Sequence, residues 1–359
     1  MEKVKTKRWK ARTTIIAAIL VLTLVILGCM EKRANENIGD ENKSHERVRK
    51  ILFESARDAP LKDGDFQKNP QKYIELFSMN LDGSDVRRLT YNYYWEHKPQ
   101  FSHGSILVSI HFSPGRVLET DAGWEIAVLD ISNSNFSRLK RLTNNSYLDI
   151  DAKWNRDGTK IVYVSDSNKR TADELKMGLL PQYDIYIMNS DGSGKKRLTF
   201  GKPGEVNADP CFSPDGDIYY VHSEGFSNKF DLWKMEGDGS NKTPVLIHNN
   251  LIKSINDPSV SKDGKRIIFE GKISSGKYNL FVLELEGLKL RRITYDDGES
   301  DIWPSFSSDG TYIVYFTYKG DQENHTQKIR ISKSDGSEEK EISTFPWESF
   351  PTWFEDDSI

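Results

Sequence analysis

The sequence predicts an all-β protein, a six-bladed β-propeller of four-stranded antiparallel blades, closed by N-terminal strands that join the C-terminal strand. Three observations carry this. Asp-Gly turns flanked by β-branched and aromatic residues recur at Asp157-Gly158, Asp215-Gly216, Asp263-Gly264 and Asp309-Gly310, in steps of 58, 48 and 46 residues. Asp-Gly in that setting marks a tight hairpin, because Gly takes φ > 0 without steric cost. A second family of turns, Asp82-Gly83-Ser84, Asp191-Gly192-Ser193, Asp238-Gly239-Ser240 and Asp335-Gly336-Ser337, alternates with the first. Leu89-Thr90, Leu142-Thr143, Leu198-Thr199 and Ile293-Thr294 form a recurrent terminator. Two hairpins per unit make four short strands, and four strands at a period near 50 residues fit a propeller blade.

In chain order, residues 1–12 carry Lys3, Lys5, Lys7, Arg8, Lys10 and Arg12 against Glu2. An uncharged, mostly apolar run, 13–28, then leads to Cys29. A basic segment, an apolar segment and a small residue before the break form an export signal over 1–28. The run Ile26-Leu27-Gly28-Cys29 resembles a bacterial-type lipobox, a resemblance that makes Cys29 the lipidated first residue of the mature chain. An uncleaved transmembrane anchor is the alternative. Either way the body lies outside the cytoplasm, in the periplasm or beyond the cell, tethered to the membrane by its N-terminus. Residues 1–28 hold six of the 50 basic residues and one of the 54 acidic ones, which leaves 44 against 53, a net charge of −9. That balance argues against nucleic acid as a partner. Cys211 is the one other cysteine, so no disulfide framework exists and a buried, inert thiol is expected. Residues 29–47, rich in Glu, Asn and Lys, read as a flexible tether.

From 48 to 359 the chain reads as propeller. Strand A of each blade is expected to follow the positions Pro99, Ala152, Pro210, Pro258, Pro304 and Pro351. Strand B is the run Ser105–Ile110, Lys160–Ser165, Asp217–His222, Arg266–Glu270 or Thr311–Phe316, and the sixth copy is Ile51–Ser55 at the other end of the chain. The last blade therefore takes strand A from the C-terminus and its other strands from the N-terminus, which removes free sheet edges.

The pattern Pro210-Cys211-Phe212-Ser213-Pro214-Asp215-Gly216, then Ile218-Tyr219-Tyr220, with Asp184-Ile185-Tyr186-Ile187-Met188, Asp191-Gly192-Ser193 and Arg197-Leu198-Thr199, resembles the repeat of the TolB-like propeller family. The resemblance covers about residues 48–356 and implies the fold; function sits on sites and is not implied with it. TolB carries an α/β domain ahead of its propeller, and the tether here is too short to hold one, which puts partnerships that need it in doubt.

Phe101, Trp154, Phe212, Phe306 and Trp353, with Val260 in the remaining unit, stand two residues after the proline position. They read as packing between blades before a carbohydrate platform. The Asp-Gly-Ser turns lack the preceding acids of a calcium loop. No His-x-x-x-His pair and no Gly-x-Ser-x-Gly elbow occurs, and the chain's end at Ile359 is expected to leave no room for a hydrolase domain. Some propeller lyases hold a metal through histidines, and His97, His103 and His111 are close in sequence. That keeps a metal-dependent polysaccharide lyase or hydrolase as the alternative function.

The informative positions lie just before the proline. Three residues before it stand Glu96, Asp149, Asn207, Ile255, Asp301 and Glu348; one before it stand Lys98, Asp151, Asp209, Asp257, Trp303 and Phe350. Read as loops from strand D to the next strand A, they place Glu96, Asp149, Asp151, Asp209, Asp257, Asp301 and Glu348 in an acidic ring around the channel mouth. Such a ring attracts cations, and a divalent cation there is one occupant. Asp before Pro is also plain turn chemistry, the competing reading for Asp209 and Asp257. Long strand B-to-C connections, His111–Gly123 and Asp166–Gln182, would share that face, the second with a short helix over 172–180. The expected function is a monomeric, membrane-anchored, extracytoplasmic binding protein that takes an envelope protein, a peptide or a cationic ligand on this acidic face, without a cofactor of its own. A structural member of an envelope complex is the third class left open.

Overall fold

The structure is a computed structural model and describes residues 49–58, 74–92, 94–111, 123–130, 138–145, 147–166, 182–202, 204–224, 227, 229–295, 298–320, 325–345 and 348–355. The export signal, Cys29, the tether, most of both long B-to-C connections and the helix expected at 172–180 lie outside these residues.

Among the described residues the chain forms β1 (Lys50–Ser55), β2 (Glu75–Asn80), β3 (Arg87–Arg88), β4 (Trp95–Ser102), β5 (Ser105–His111), β6 (Trp124–Asp130), β7 (Arg138–Arg141), β8 (Asp149–Trp154), β9 (Lys160–Ser165), β10 (Asp184–Asn189), β11 (Lys196–Arg197) and β12 (Val206–Phe212). It continues as β13 (Ile218–Ser223), β14 (Asp231–Met235), β15 (Thr243–Leu246), β16 (Ser254–Val260), β17 (Arg266–Lys272), β18 (Tyr278–Glu284), β19 (Lys289–Arg292), β20 (Ser300–Phe306), β21 (Tyr312–Gly320), β22 (His325–Lys333), β23 (Lys340–Ser343) and β24 (Glu348–Phe354). They pair into six four-stranded sheets: β24-β1-β2-β3, then β4 to β7, β8 to β11, β12 to β15, β16 to β19 and β20 to β23. The first sheet is the mixed blade. Ile51 pairs with Trp353 on one side and with Met79 on the other, so a C-terminal and an N-terminal strand close the ring.

Each blade is a hairpin pair whose second strand is apolar through its middle, because it is covered on both faces there. Ile51, Leu52 and Phe53, or Ile267, Ile268 and Phe269, are fully buried. Neighbouring blades share apolar clusters: Phe53, Phe77 and Trp353 of the mixed blade pack with Val314, Phe316 and Ile329 of the blade before it. Phe306 and Trp353 are buried between blades, while Phe101, Trp154, Phe212 and Val260 are partly buried against the same kind of cluster. The repeated aromatic position is thus inter-blade packing.

The Arg-Leu-Thr terminator has a physical role. Its Thr hydroxyl accepts the first free N–H of the third strand: Leu76 to Thr90 (2.9 Å), Ile126 to Thr143 (2.9 Å), Ile185 to Thr199 (2.8 Å) and Leu280 to Thr294 (2.9 Å). Its Arg pairs with the acid at the start of that strand, first or second in it, Arg88 with Glu75 (2.8 Å), Arg141 with Glu125 (2.6 Å) and Arg197 with Asp184 (2.5 Å). A donor and an acceptor that would otherwise be stranded at the blade's end satisfy each other.

Candidate functional site

All six innermost strands, β4, β8, β12, β16, β20 and β24, shift register at the same place. The breaks fall between His97 and Gln100, Ile150 and Lys153, Ala208 and Cys211, Asn256 and Ser259, and Ile302 and Ser305, and β1 shows the matching slip opposite β24. At the centre of each break one residue has left-handed φ: Lys98 49°, Asp151 56°, Asp209 46°, Asp257 43°, Trp303 54° and Phe350 48°. Such a bulge re-aims one side chain. Asp tolerates that conformation, whereas a bulky aromatic adopts it at a cost that the surrounding structure must offset. Repeated six times, the bulge turns these residues toward the axis, where all six line one cavity of about 140 Å3.

This placement corrects the expectation that strand A follows the proline. The proline position lies inside strand A, and the residues before it are strand and bulge, not loop. An Asp-Pro step read alone signals a turn; here the left-handed residue is absorbed within the ladder.

The ring is chemically two-sided. Lys98 Nζ lies 2.9 Å from Asp151, 3.0 Å from Asp257 and 3.5 Å from Asp209. Burial alone would depress the Lys98 ammonium, but the three carboxylates outweigh it and hold it well above its ordinary range. Burial raises Asp209, and the charge of Asp257 adds to it; against the pull of Lys98 its carboxyl is still pushed up to about 7. Burial also raises Asp151, but Lys98 more than offsets that and holds it below the usual range. On the other side, Trp303 stacks on Phe350 with centroids 3.6 Å apart, and His97 meets Phe350 edge-on at 4.2 Å. The preceding blade supplies several anchors: Glu54 accepts the Lys98 amide (2.7 Å), Ser109 the Asp151 amide (3.1 Å) and Glu270 the Trp303 amide (2.9 Å). Burial, followed by the charge of Asp257, raises Glu270 well above its ordinary value.

The seven expected carboxylates do not form one ring. Asp151, Asp209 and Asp257 converge on Lys98. Glu96, Asp149, Asp301 and Glu348 are buried inside the blades and tie four of the six to the blade before. Asn145, which follows β7, donates to Asp149 (2.7 Å), and Asn92, which follows β3, donates to Glu96. Asp301 accepts from Thr317 (2.7 Å) and also interacts with Thr294 of the blade before, and Glu348, which pairs with Arg57 of its own blade, also interacts with Ser343 of the blade before. Sequence reasoning recorded Lys98, Trp303 and Phe350 as exceptions in an acidic series; the structure makes them half of the site. Of the three histidines, His97 and His111 both contact Trp124, while His103 sits in the hairpin at the far end of β4, 2.6 Å from the Ser102 hydroxyl. Among the described residues no group of three His, Cys, Asp or Glu side chains has the geometry of a metal cluster, and no helix is long and apolar enough to cross a membrane.

The stapling role has a pH signature. Burial pushes Asp301 up to about 6, against the hydroxyls of Thr317 and Thr294. The folded value lies above the ordinary 3.8, so the stability linked to this group is complete below about pH 4 and is lost as pH rises through about 6. Asp301→Asn, which cannot titrate, is expected to flatten the stability loss between pH 5 and pH 8 by about 1.4 kcal/mol. Urea unfolding at the two pH values measures it; an unchanged pH slope would show that Asp301 is ionised throughout.

Together the closed ring and its bulge-built channel define a six-bladed propeller whose polar chemistry is gathered on its axis. The TolB beta propeller domain matches residues 176–356, half of the chain, and the chain belongs to that family. TolB from Acinetobacter baumannii is similar at 16% identity and a TM-score of 0.61, over 85% of this chain and 66% of that one. A protein described as TolB from Agrobacterium tumefaciens matches at 16% identity and 0.57, over 83% and 89%. An oligogalacturonate lyase in complex with manganese matches at 15% and 0.52, over 83% and 74%. At such identities the likeness shows the fold, which carries binding proteins and enzymes alike.

Proposed function

We propose that this chain is a non-enzymatic binding protein of the cell envelope, monomeric, exported and anchored through Cys29, that takes a segment of an envelope protein or peptide at the ring of its channel. The observation that supports it most is the set of six bulges that brings three carboxylates and a stacked Trp303–Phe350 pair into one cavity. Three acids share one ammonium there, so an incoming cationic group meets an excess of negative charge on one side and an aromatic face on the other. The alternative, a metal-dependent lyase, fits the residues less well. The three acids are organised around Lys98 at 2.9–3.5 Å, and a divalent ion needs oxygen ligands at about 2.0–2.6 Å in the place that ammonium fills.

A photoreactive residue at Ser349, next to Phe350, is expected to form an adduct with an envelope protein in intact cells. The pair Asp257→Asn and Trp303→Ala should abolish the adduct while the purified variant still melts cooperatively. An adduct unaffected by both changes would remove the ring from the function. Cys29→Ser is expected to abolish incorporation of labelled fatty acid, and labelling that persists in the variant would refute the anchor.

A further inference from the structure

We infer that the part of the channel beyond the Lys98 ring is a binding site for a small oxyanion, a carboxylate or phosphate held by Lys153 and a ring of neutral donors, and entered from the face opposite to the one proposed for the partner. Side chains on a strand alternate, so after each bulge the residue following the proline position again borders the axis. Those six residues are Gln100, Lys153, Cys211, Ser259, Ser305 and Thr352, and all line the cavity. This tier holds one cation, no carboxylate, three hydroxyls, an amide and a thiol.

Among the described residues Lys153 makes no hydrogen bond and no ion pair with another side chain, although it stands inside the ring. Burial and the repulsion of Lys98 both pull its pKa down, with the ring carboxylates opposing. The Gln100 side-chain oxygen is committed to the Trp154 amide (2.7 Å), which leaves its NH2 group as the half available to a ligand. An unpaired ammonium inside a protein is costly, and an oxyanion on the axis would supply the acceptor that these donors lack.

Access is from the Asp-Gly turns, toward which every innermost strand runs. There the channel widens to about 230 Å3 and shares Gln100, Trp154, Ser259, Ser305 and Thr352 with the first cavity. Since about 10–15 Å3 of such space holds one water, either part admits a small oxyanion. Arg156 and Lys262 stand at this rim. Of the carboxylates near this rim, Glu355 lines it and is engaged by Arg49 (3.6 Å) and the Ser308 amide (3.1 Å), while Asp157, Asp215, Asp263 and Asp309 of the turns stand outside the lining. The channel is therefore acidic at one level and basic at the next, and an anion approaching from the turns does not cross the Asp151–Asp209–Asp257 ring.

The test uses the whole exported chain, with inorganic phosphate and acetate as probes and chloride at equal ionic strength as control. Phosphate, acetate or both should raise the Tm above the chloride value in a saturable way. Lys153→Met should weaken that binding about tenfold or more, the loss of one charged hydrogen-bond donor. In anion-free buffer Lys153→Met should melt no lower than wild type. Should it not fold, Lys153→Gln is the second variant, and crystals of the wild type grown with phosphate should show it within hydrogen-bond distance of Lys153. No saturable shift with either anion, an identical shift in the variant, or a density-free axis at high phosphate would each overturn the inference. Because neither the Trp303–Phe350 face nor an envelope partner enters this experiment, its failure leaves the proposed partner site standing, and the reverse also holds.

Discussion

Lys98→Met is expected to cost on the order of 3–5 kcal/mol at pH 8, the loss seen when one partner of a buried ion cluster is removed, or roughly 6–10 °C in Tm for a domain of this size. The deficit should shrink markedly at pH 5. Three carboxylates lie within 3.5 Å of the Lys98 ammonium, and without it they face one another across the channel. In the wild type Lys98 is raised above its ordinary 10.5. Its contribution is complete below that value and disappears only in alkali, so it acts as a fixed charge across the tested range. Asp209, already pushed up to about 7, favours its protonated form. Its linked stability is complete below about 3.8 and is lost as pH rises through 7. In the variant Asp151 also loses the partner that holds it down and should titrate with Asp209. The penalty should therefore build from pH 4 upward and go on building past pH 7, because Asp209 also loses the pull of Lys98 that lowers it. Thermal melts of both proteins at pH 5 and 8 decide it: an equal deficit at the two values, or none, would mean that the three acids are neutralised by something other than Lys98.

Deleting residues 48–55 should abolish cooperative unfolding altogether. This segment supplies β1, which pairs along its length with β2 and with β24. It also carries Ile51, Leu52 and Phe53, all fully buried, and Glu54, which accepts the Lys98 amide across the blade boundary. Its loss leaves β24 without a neighbour and two sheet edges open. A single Leu52→Ala change tests the same strand more gently and should cost about 2–5 kcal/mol. A truncated chain that melts in one sharp transition would show that the ring does not depend on β1.

The fold was legible because its turns are local. An Asp-Gly pair announces its hairpin within a few residues, and β9, Lys160–Ser165, falls where the pattern placed it. The closure was legible as well, since Ile51–Ser55 repeats the composition of β9. The site was legible only in part. Asp151, Asp209 and Asp257 could be picked out, but a bulge inside a strand leaves no mark beyond Asp-Pro, which reads equally as a turn. Lys98 finds its acids 53 to 159 residues further along, and only ring geometry joins them. For the same reason Glu96 and Asp149 looked like members of the ring: their partners, Asn92 and Asn145, are neighbours in sequence, yet nothing local says which way the side chains turn.

The mixed blade also sets the order in which the molecule can be finished. Its β1, β2 and β3 are the first strands to be synthesised and β24 is the last, with Arg57 and its partner Glu348 separated by 291 residues. Joining ends that far apart costs only about 3 kcal/mol more than closing a ten-residue hairpin, because the entropy grows with the logarithm of length, but contacts so distant form slowly. Until β24 arrives, β1 presents an unpaired, apolar edge, a template for pairing with a second chain. Five blades can assemble from local hairpins while the sixth waits, so the hazardous interval in the life of this protein is the one between the emergence of Ile51 and the docking of Trp353.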